Sequence, residues 1–151
     1  QGESEIIDHK RSQLQHLDVA YLEEGVRVEG LVALQSLRIF NLPKEEALFS
    51  LARLTELQVL EIYTGPELRD VSSITEGQQL RRVVLCNLPQ LNSLDGVVSN
   101  DNLEEVVIAN CPNVSVDEIV RLNGLSQLKK LRLPGREVDE ALPASLLDKV
   151  V

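Results

Sequence analysis

The sequence predicts a repeat solenoid, in which similar units stack along one axis and share a single core. The first of three observations behind this is self-similarity. The stretch "LEEVVIANCPNV" from Leu103 recurs 23 residues earlier as "LRRVVLCNLPQL" from Leu80, then as "LQVLEIYTGPEL" from Leu57 and "LQSLRIFNLPKE" from Leu34. Looser copies flank these, "LQHLDVAYLEEG" from Leu14, 20 residues before, and "LKKLRLPGREVD" from Leu128, 25 residues after, which makes six. The second is punctuation: Pro43, Pro66, Pro89 and Pro112 hold one position of the unit. The third is period. Apolar residues alternate within each copy as in a strand, yet so small a unit cannot bury its apolar row alone, so the copies must stack.

Composition sets the material of the core. The chain has 151 residues, 43% hydrophobic but only 3% aromatic, with no Trp or Met, so its interior is built from Leu, Val and Ile. No apolar run approaches the roughly 20 residues that span a bilayer. No signal peptide is visible. The chain starts without Met, which suits a processed form or a piece of a longer protein.

Each copy has the form L-x-x-L-x-L-x-x-(N/C/L) over residues 14 to about 138, and this resembles the leucine-rich repeat family. The half-unit that adds Leu91 and Leu94 resembles the classes of about 22 to 24 residues in intracellular scaffolds, including the protein-phosphatase-1 regulatory type. The Asn-Cys-Pro element is similar to cysteine-containing repeats of plant, bacterial and trypanosome proteins, and both subfamilies stay open. The resemblance implies an α/β repeat solenoid: a right-handed superhelix with a concave parallel β-sheet and an irregular convex side of short helices and turns. It also implies one domain over 1–151, with an N-terminal cap (1–13), six repeats (14–138) and a C-terminal capping helix (139–151).

The elements follow in order. Ile6 and Ile7 belong to the N-terminal cap. In the strand from Leu103, Val106 and Ile108 point inward, and Glu105, Val107 and Ala109 outward. "KEEALFSLARL" (Lys44 to Leu54) predicts a convex helix with Leu48, Leu51 and Ala52 on one face. "DGVVSND" is too rich in Gly and Asn for a long helix. Ser115-Val-Asp-Glu118 before Ile119 and Leu122 predicts a capping box. "ALPASLLDKVV" predicts a closing helix with Pro143 near its start.

The ninth position is where the family usually places Asn or Cys. Only Cys111 fits; Leu22, Leu42, Gly65, Leu88 and Arg136 depart, and Asn41, Asn87 and Asn110 sit one residue earlier. The departure argues against a continuous asparagine ladder, not against the solenoid. The same equivalents make Cys111 a buried, inert thiol rather than a nucleophile or metal ligand. Arg136 in place of an inward residue marks the end of the array. Cys86 points outward and Cys111 inward, so the two are not expected to pair, and the expected location is intracellular, in the cytoplasm. Asn113-Val114-Ser115 matches the glycosylation acceptor pattern, a triplet common by chance.

The resemblance implies partner binding on the concave face. Its third position carries His16, Ser36, Val59, Arg82, Glu105 and Lys130; its fifth, Asp18, Arg38, Glu61, Val84, Val107 and Arg132. The seventh carries Ala20, Phe40, Tyr63, Cys86, Ala109 and Pro134, and Tyr21 stands at the eighth. Phe40, Tyr63 and Tyr21 with Val59, Val84 and Val107 form an expected apolar patch rimmed by charge. The formal charge is −9, but the strand positions carry six basic residues against four acidic ones, so the remainder carries −11. Arg81, Arg82, Lys129, Lys130 and Arg132 lie toward the C-terminal half, which suits a partner with an apolar segment beside an acidic one. A nucleic-acid stripe would need more positive charge.

The expected function is a non-catalytic protein-interaction module without cofactor or metal. The expected partner-binding residues are Tyr21, Arg38, Phe40, Val59, Glu61, Tyr63, Arg82, Val84, Cys86, Glu105, Val107, Lys130 and Arg132. His9 and His16 fall in no triad or zinc spacing. Glu104 and Glu105 are neighbours on a strand, so they point apart and form no acid–base pair. Two alternatives stand beside this reading. One is a regulatory or targeting subunit of a phosphatase, ubiquitin ligase or GTPase regulator, with Arg38 or Arg82 as the residue for the last. The other is a cytoskeletal scaffold that self-associates.

Overall fold

The computed structural model describes residues 12–22, 28, 30–137 and 142–151. Most of the expected N-terminal cap, Ile6, Ile7 and His9 with it, lies outside them. Six strands form one sheet: β1 (His16–Val19), β2 (Ser36–Ile39), β3 (Val59–Ile62), β4 (Arg82–Cys86), β5 (Glu105–Ala109) and β6 (Lys130–Arg132). Their spatial order is their chain order, and every neighbouring pair is parallel. Parallel neighbours require the chain to return to the same edge between strands, and the second half of each unit does this. The register aligns equivalent positions: His16, Ser36, Val59, Arg82, Glu105 and Lys130 form one row, and Asp18, Arg38, Glu61, Val84, Val107 and Arg132 the next.

The inward positions fill one continuous core. Leu37, Leu60, Val83, Val106 and Leu131 of the fourth position and Ile39, Ile62, Leu85 and Ile108 of the sixth are buried, while Leu17 and Val19 on the end strand are half-buried. The ninth position lies inside as well, in Leu22, Leu42, Gly65, Leu88 and Cys111.

The return half has a simpler rule than a helix. Buried residues recur every third position: Leu48, Leu51, Leu54, Leu57; Leu68, Val71, Ile74, Gly77, Leu80; Leu88, Leu91, Leu94, Val97, Asn100, Leu103. Three-residue turns impose that period, through Leu54 N to Leu51 O (3.0 Å), Leu57 N to Leu54 O (3.1 Å), Ile74 N to Val71 O (3.0 Å) and Leu91 N to Leu88 O (3.3 Å). The 25-residue copy from Leu103 holds a helical segment at Val116–Val120.

The helix expected over Lys44 to Leu54 does not form. Ala47 bridges to Asp70, Leu48 N donates to Asp70 O (2.8 Å), and Arg69 N donates to Glu46 O (2.9 Å). These bonds to the next unit occupy backbone groups that an α-helix would use within itself. Leu48 and Leu51 are buried as expected, but Ala52 is exposed.

Helices are short where they occur. A 3-10 segment spans Ser72–Glu76, α1 spans Asp95–Val98, α2 spans Val116–Val120 and runs into a 3-10 turn at Arg121–Gly124. Gly96 lets α1 lie against the preceding unit, since a Cβ there would stand 2.2 Å from Val71 O. Ser115 caps α2 by accepting from Glu118 N at 3.2 Å. The expected reciprocal bond is replaced: Glu118 Oε2 accepts from Leu94 N at 2.8 Å, ahead of α1. Arg121 then spans both helices, 2.9 Å from Glu118 and 2.7 Å from Asp95.

The C-terminal segment closes the sheet. α3 (Ala144–Leu147) starts after Pro143 and buries Leu146. Leu131 N donates to Lys149 O (2.8 Å) and Val151 N to Leu131 O (3.0 Å), so the outer edge of β6 is paired rather than bare. Arg136 Nη2 donates to Cys111 O at 3.2 Å, filling the inward column's end with a hydrogen bond.

Candidate functional site

The candidate site is the solvent-facing side of the sheet. Phe40 and Tyr63 continue β2 and β3 at the seventh position, fixed by Phe40 N to Val19 O and Tyr63 N to Ile39 O, both 2.9 Å. Adjacent parallel strands bring the rings together: their centroids are 5.2 Å apart and their planes 14° from parallel. That is a stacked pair at favourable spacing. Phe40 is nevertheless 45% exposed, and Tyr21 at the neighbouring end is 48% exposed.

Beside the rings runs a chain of alternating charge. Arg38 Nε lies 2.5 Å from Glu61, and Arg82 lies 3.5 Å from Glu61 on one side and 3.5 Å from Glu105 on the other. Arg132 Nε completes it, 3.4 Å from Glu105. The Tyr63 hydroxyl donates to Glu61 Oε1 at 2.9 Å, tying the aromatic pair to the charges. Burial pushes the Tyr63 phenol above its ordinary range, and its bond to the Glu61 carboxylate adds to that. Glu61 itself is only 3% exposed, a carboxylate held between two guanidinium groups and a phenol. Arg82 divides itself between two acids and leaves buried Nη1 without an acceptor, while Glu61 Oε2 meets Arg38 as an ion pair without hydrogen-bond geometry.

The remaining predicted residues fall into three groups. Val84 and Val107, expected as exposed members of the patch, are buried instead. They are short side chains between Glu61 and Arg132 in the fifth-position row, beside the long Arg82–Glu105 pair, whose aliphatic stems screen them from water. Val59 and Cys86 are half-buried. The Cys86 thiol is pushed up, by burial first and by the Glu61 charge second, so it is not an activated nucleophile. Lys130 and Arg132 are exposed on β6, and Lys130 has no ion pair among the described residues.

Comparison with known proteins bears on the fold. No family model matches the chain, and no curated protein matches it. Among solved structures, an internalin of Listeria monocytogenes matches with a TM-score of 0.64 at 17% identity, over 94% of this chain. The chain spans about half of that internalin, 48% of its length. The fold is leucine-rich-repeat-like. The leucine-rich-repeat-like sheet is what sets the Phe40, Glu61, Arg82, Glu105 and Arg132 side chains in rows across successive units.

Two features span neighbouring units, so no single copy of the repeat displays them. The ion-pair chain is visible only down the third and fifth columns, where Arg, Glu, Arg, Glu and Arg alternate from unit to unit. An asparagine ladder does exist over two units: Asn110 Nδ2 donates to Asn87 Oδ1 (2.6 Å), and Asn87 Nδ2 to Tyr63 O (2.8 Å). Both asparagines have positive φ, 51° and 52°, a conformation Asn tolerates better than most residues. Asn113 is engaged likewise, donating to Pro89 O at 2.8 Å. Among the described residues no group of three metal-ligating side chains converges, and no helix is long and apolar enough to cross a membrane.

Proposed function

We propose that this chain is a non-catalytic module that binds another protein through the outer face of its sheet, inside the cell. The observation that carries the reading is the stacked Phe40–Tyr63 pair, in which Phe40 stays 45% exposed although Val84 and Val107 on the same face are buried. Stiff aromatic side chains lose little entropy on binding and bury much area, which is why they anchor interfaces. Tyr21, Arg38 and Val59 surround them, Glu61, Arg82 and Glu105 form the polar rim, and Lys130 and Arg132 lie at the far edge. Val84, Val107 and Cys86 make the floor. Reaction chemistry has no support on this face, where the thiol and the phenol are both held protonated at neutral pH. The intracellular placement is supported by two thiols on opposite sides of the sheet, Cys86 outward and Cys111 in the core.

The test is a pull-down from source-cell lysate with quantitative mass spectrometry, comparing the full chain with a Phe40→Ser/Tyr63→Ser variant that circular dichroism shows to be folded. Loss of a specific protein with the variant supports the outer face as the binding site. Retention of the same partner by both forms moves the site elsewhere.

A further inference from the structure

The outer face carries information about what it binds, because its acids from β3 to β6, Glu61 and Glu105, are already engaged and some of its bases are not. Glu61 is shared by Arg38, Arg82 and Tyr63, and Glu105 by Arg82 and Arg132. A cation arriving on β3 to β6 would find no unengaged carboxylate in these two rows. The unengaged donors are on β6. Arg132 meets Glu105 through Nε, which leaves the far end of its half-exposed guanidinium open, and the Lys130 ammonium beside it has no ion pair among the described residues. At the other end Arg38 meets Glu61 through Nε and stands in register beside Asp18 of β1, so an acid flanks it on each neighbouring strand, whereas β6 has a neighbouring strand on one side only. The face therefore runs from an apolar end at Phe40–Tyr63 to a cationic end at Lys130–Arg132, in a molecule whose net charge is −9.

We infer that the partner lays an extended acidic segment across the strands, with an apolar side chain on the Phe40–Tyr63 pair and a carboxylate against Lys130 and Arg132. This rests on the outer face being the binding site. Three inter-strand steps separate β3 from β6, about 14 Å at about 4.8 Å each. An extended chain rises about 3.3 Å per residue, and Tyr63 stands two residues further along its strand than the row of Arg132, so the diagonal is about 16 Å and the apolar and acidic residues stand about five apart in the partner sequence. Between them the segment crosses the Arg82–Glu105 pair, which is already neutralised and asks for small or polar residues. Charge complementarity of this kind sets orientation as well as affinity.

The experiment is selection of a random 12-residue peptide library on the full chain, followed by affinity measurement of the enriched peptides by fluorescence anisotropy. Enriched peptides are expected to pair an apolar residue with Asp or Glu about five positions away. Lys130→Glu/Arg132→Glu is expected to weaken them about tenfold or more, and changing the peptide acid to Lys to restore binding to that variant. Peptides that depend on Phe40 and Tyr63 but ignore the charge reversal, or that are basic, overturn this inference and leave the binding face standing. A selection yielding only peptides insensitive to Phe40→Ser/Tyr63→Ser removes the face itself.

Discussion

Asn100 offers the sharpest test of how the units are joined. It is 3% exposed and takes the place in the period-three row that Leu54 and Gly77 hold in earlier units. Its Nδ2 donates to Ile74 O at 2.9 Å and Gly77 O at 2.8 Å, and its Oδ1 accepts from Asn102 N at 3.2 Å. Two carbonyl neighbours leave no choice as to which amide atom faces them. Those carbonyls also accept Gly77 N and Leu80 N, each at 3.1 Å, so Asn100→Ala orphans neither. Its cost is the loss of three neutral hydrogen bonds at about 0.5–1.5 kcal/mol each, about 2–4 kcal/mol together. Asn100→Asp keeps the shape but aims an acceptor at two acceptors and buries an unpaired charge, at about 3–5 kcal/mol. The introduced carboxyl would have a folded pKa above its unfolded value of about 3.9, because burial disfavours its charged form. The Asp variant's deficit is therefore small below that unfolded value and grows as pH rises through the folded one. Urea unfolding of the three proteins at pH 7.5 and pH 5 reads this directly. An Asp variant as stable as wild type at pH 7.5, or one whose deficit does not shrink in acid, would refute the role given to Nδ2.

Three further outcomes follow from geometry. Gly96→Ala is expected to cost about 3 kcal/mol or more in a thermal melt, since the new methyl meets the backbone at Val71 O and, at 2.8 Å, Ser72 Cα; a loss below about 1 kcal/mol would mean the close approach is absent. Spectrophotometric titration should show the Tyr63 phenol ionising above its usual range, and Glu61→Gln should lower it only in part, because burial is the larger cause. The associated stability is present below the unfolded value of about 10 and lost as pH rises through the folded one. Burial raises both thiols, so at pH 8 iodoacetamide should label Cys86 slowly and Cys111 only after denaturation, as followed by intact-mass spectrometry; equal labelling of the folded protein would contradict the inward placement of Cys111.

Side-chain alternation made the strands legible in the sequence. A one-residue error in period two would have exchanged inside for outside, so Val106 and Ile108 fixed both the strand and its facing. The return half is equally patterned, but over Lys44 to Leu54 a helical period and a row of threes compete. Leu48 and Leu51 suit a helical stripe as well as a row of threes, and only the continuation through Leu54 and Leu57 separates the two. Exposure on the sheet was harder. Whether Val84 meets water depends on Glu61 and Arg82, which are about 20 residues away or on the adjacent row, so no single copy contains the answer. Glu118 shows the same limit: its capping-box spacing is local, whereas its partner, Leu94 N, belongs to another unit.

The alternating row of charges gives the array a parity. Arg38, Glu61, Arg82, Glu105 and Arg132 change sign with each strand from β2 to β6. Excising the single unit that carries Arg82 would set Glu61 beside Glu105, two acids with no base between them. Excising the units of Arg82 and Glu105 together would instead set Glu61 beside Arg132, and opposite signs would still face each other. The hydrophobic core is indifferent to this, because every unit offers the same Leu and Val positions to its neighbours. Growth or contraction of the middle of this solenoid is thus tolerated in pairs, and the sheet counts in twos although its backbone counts in ones.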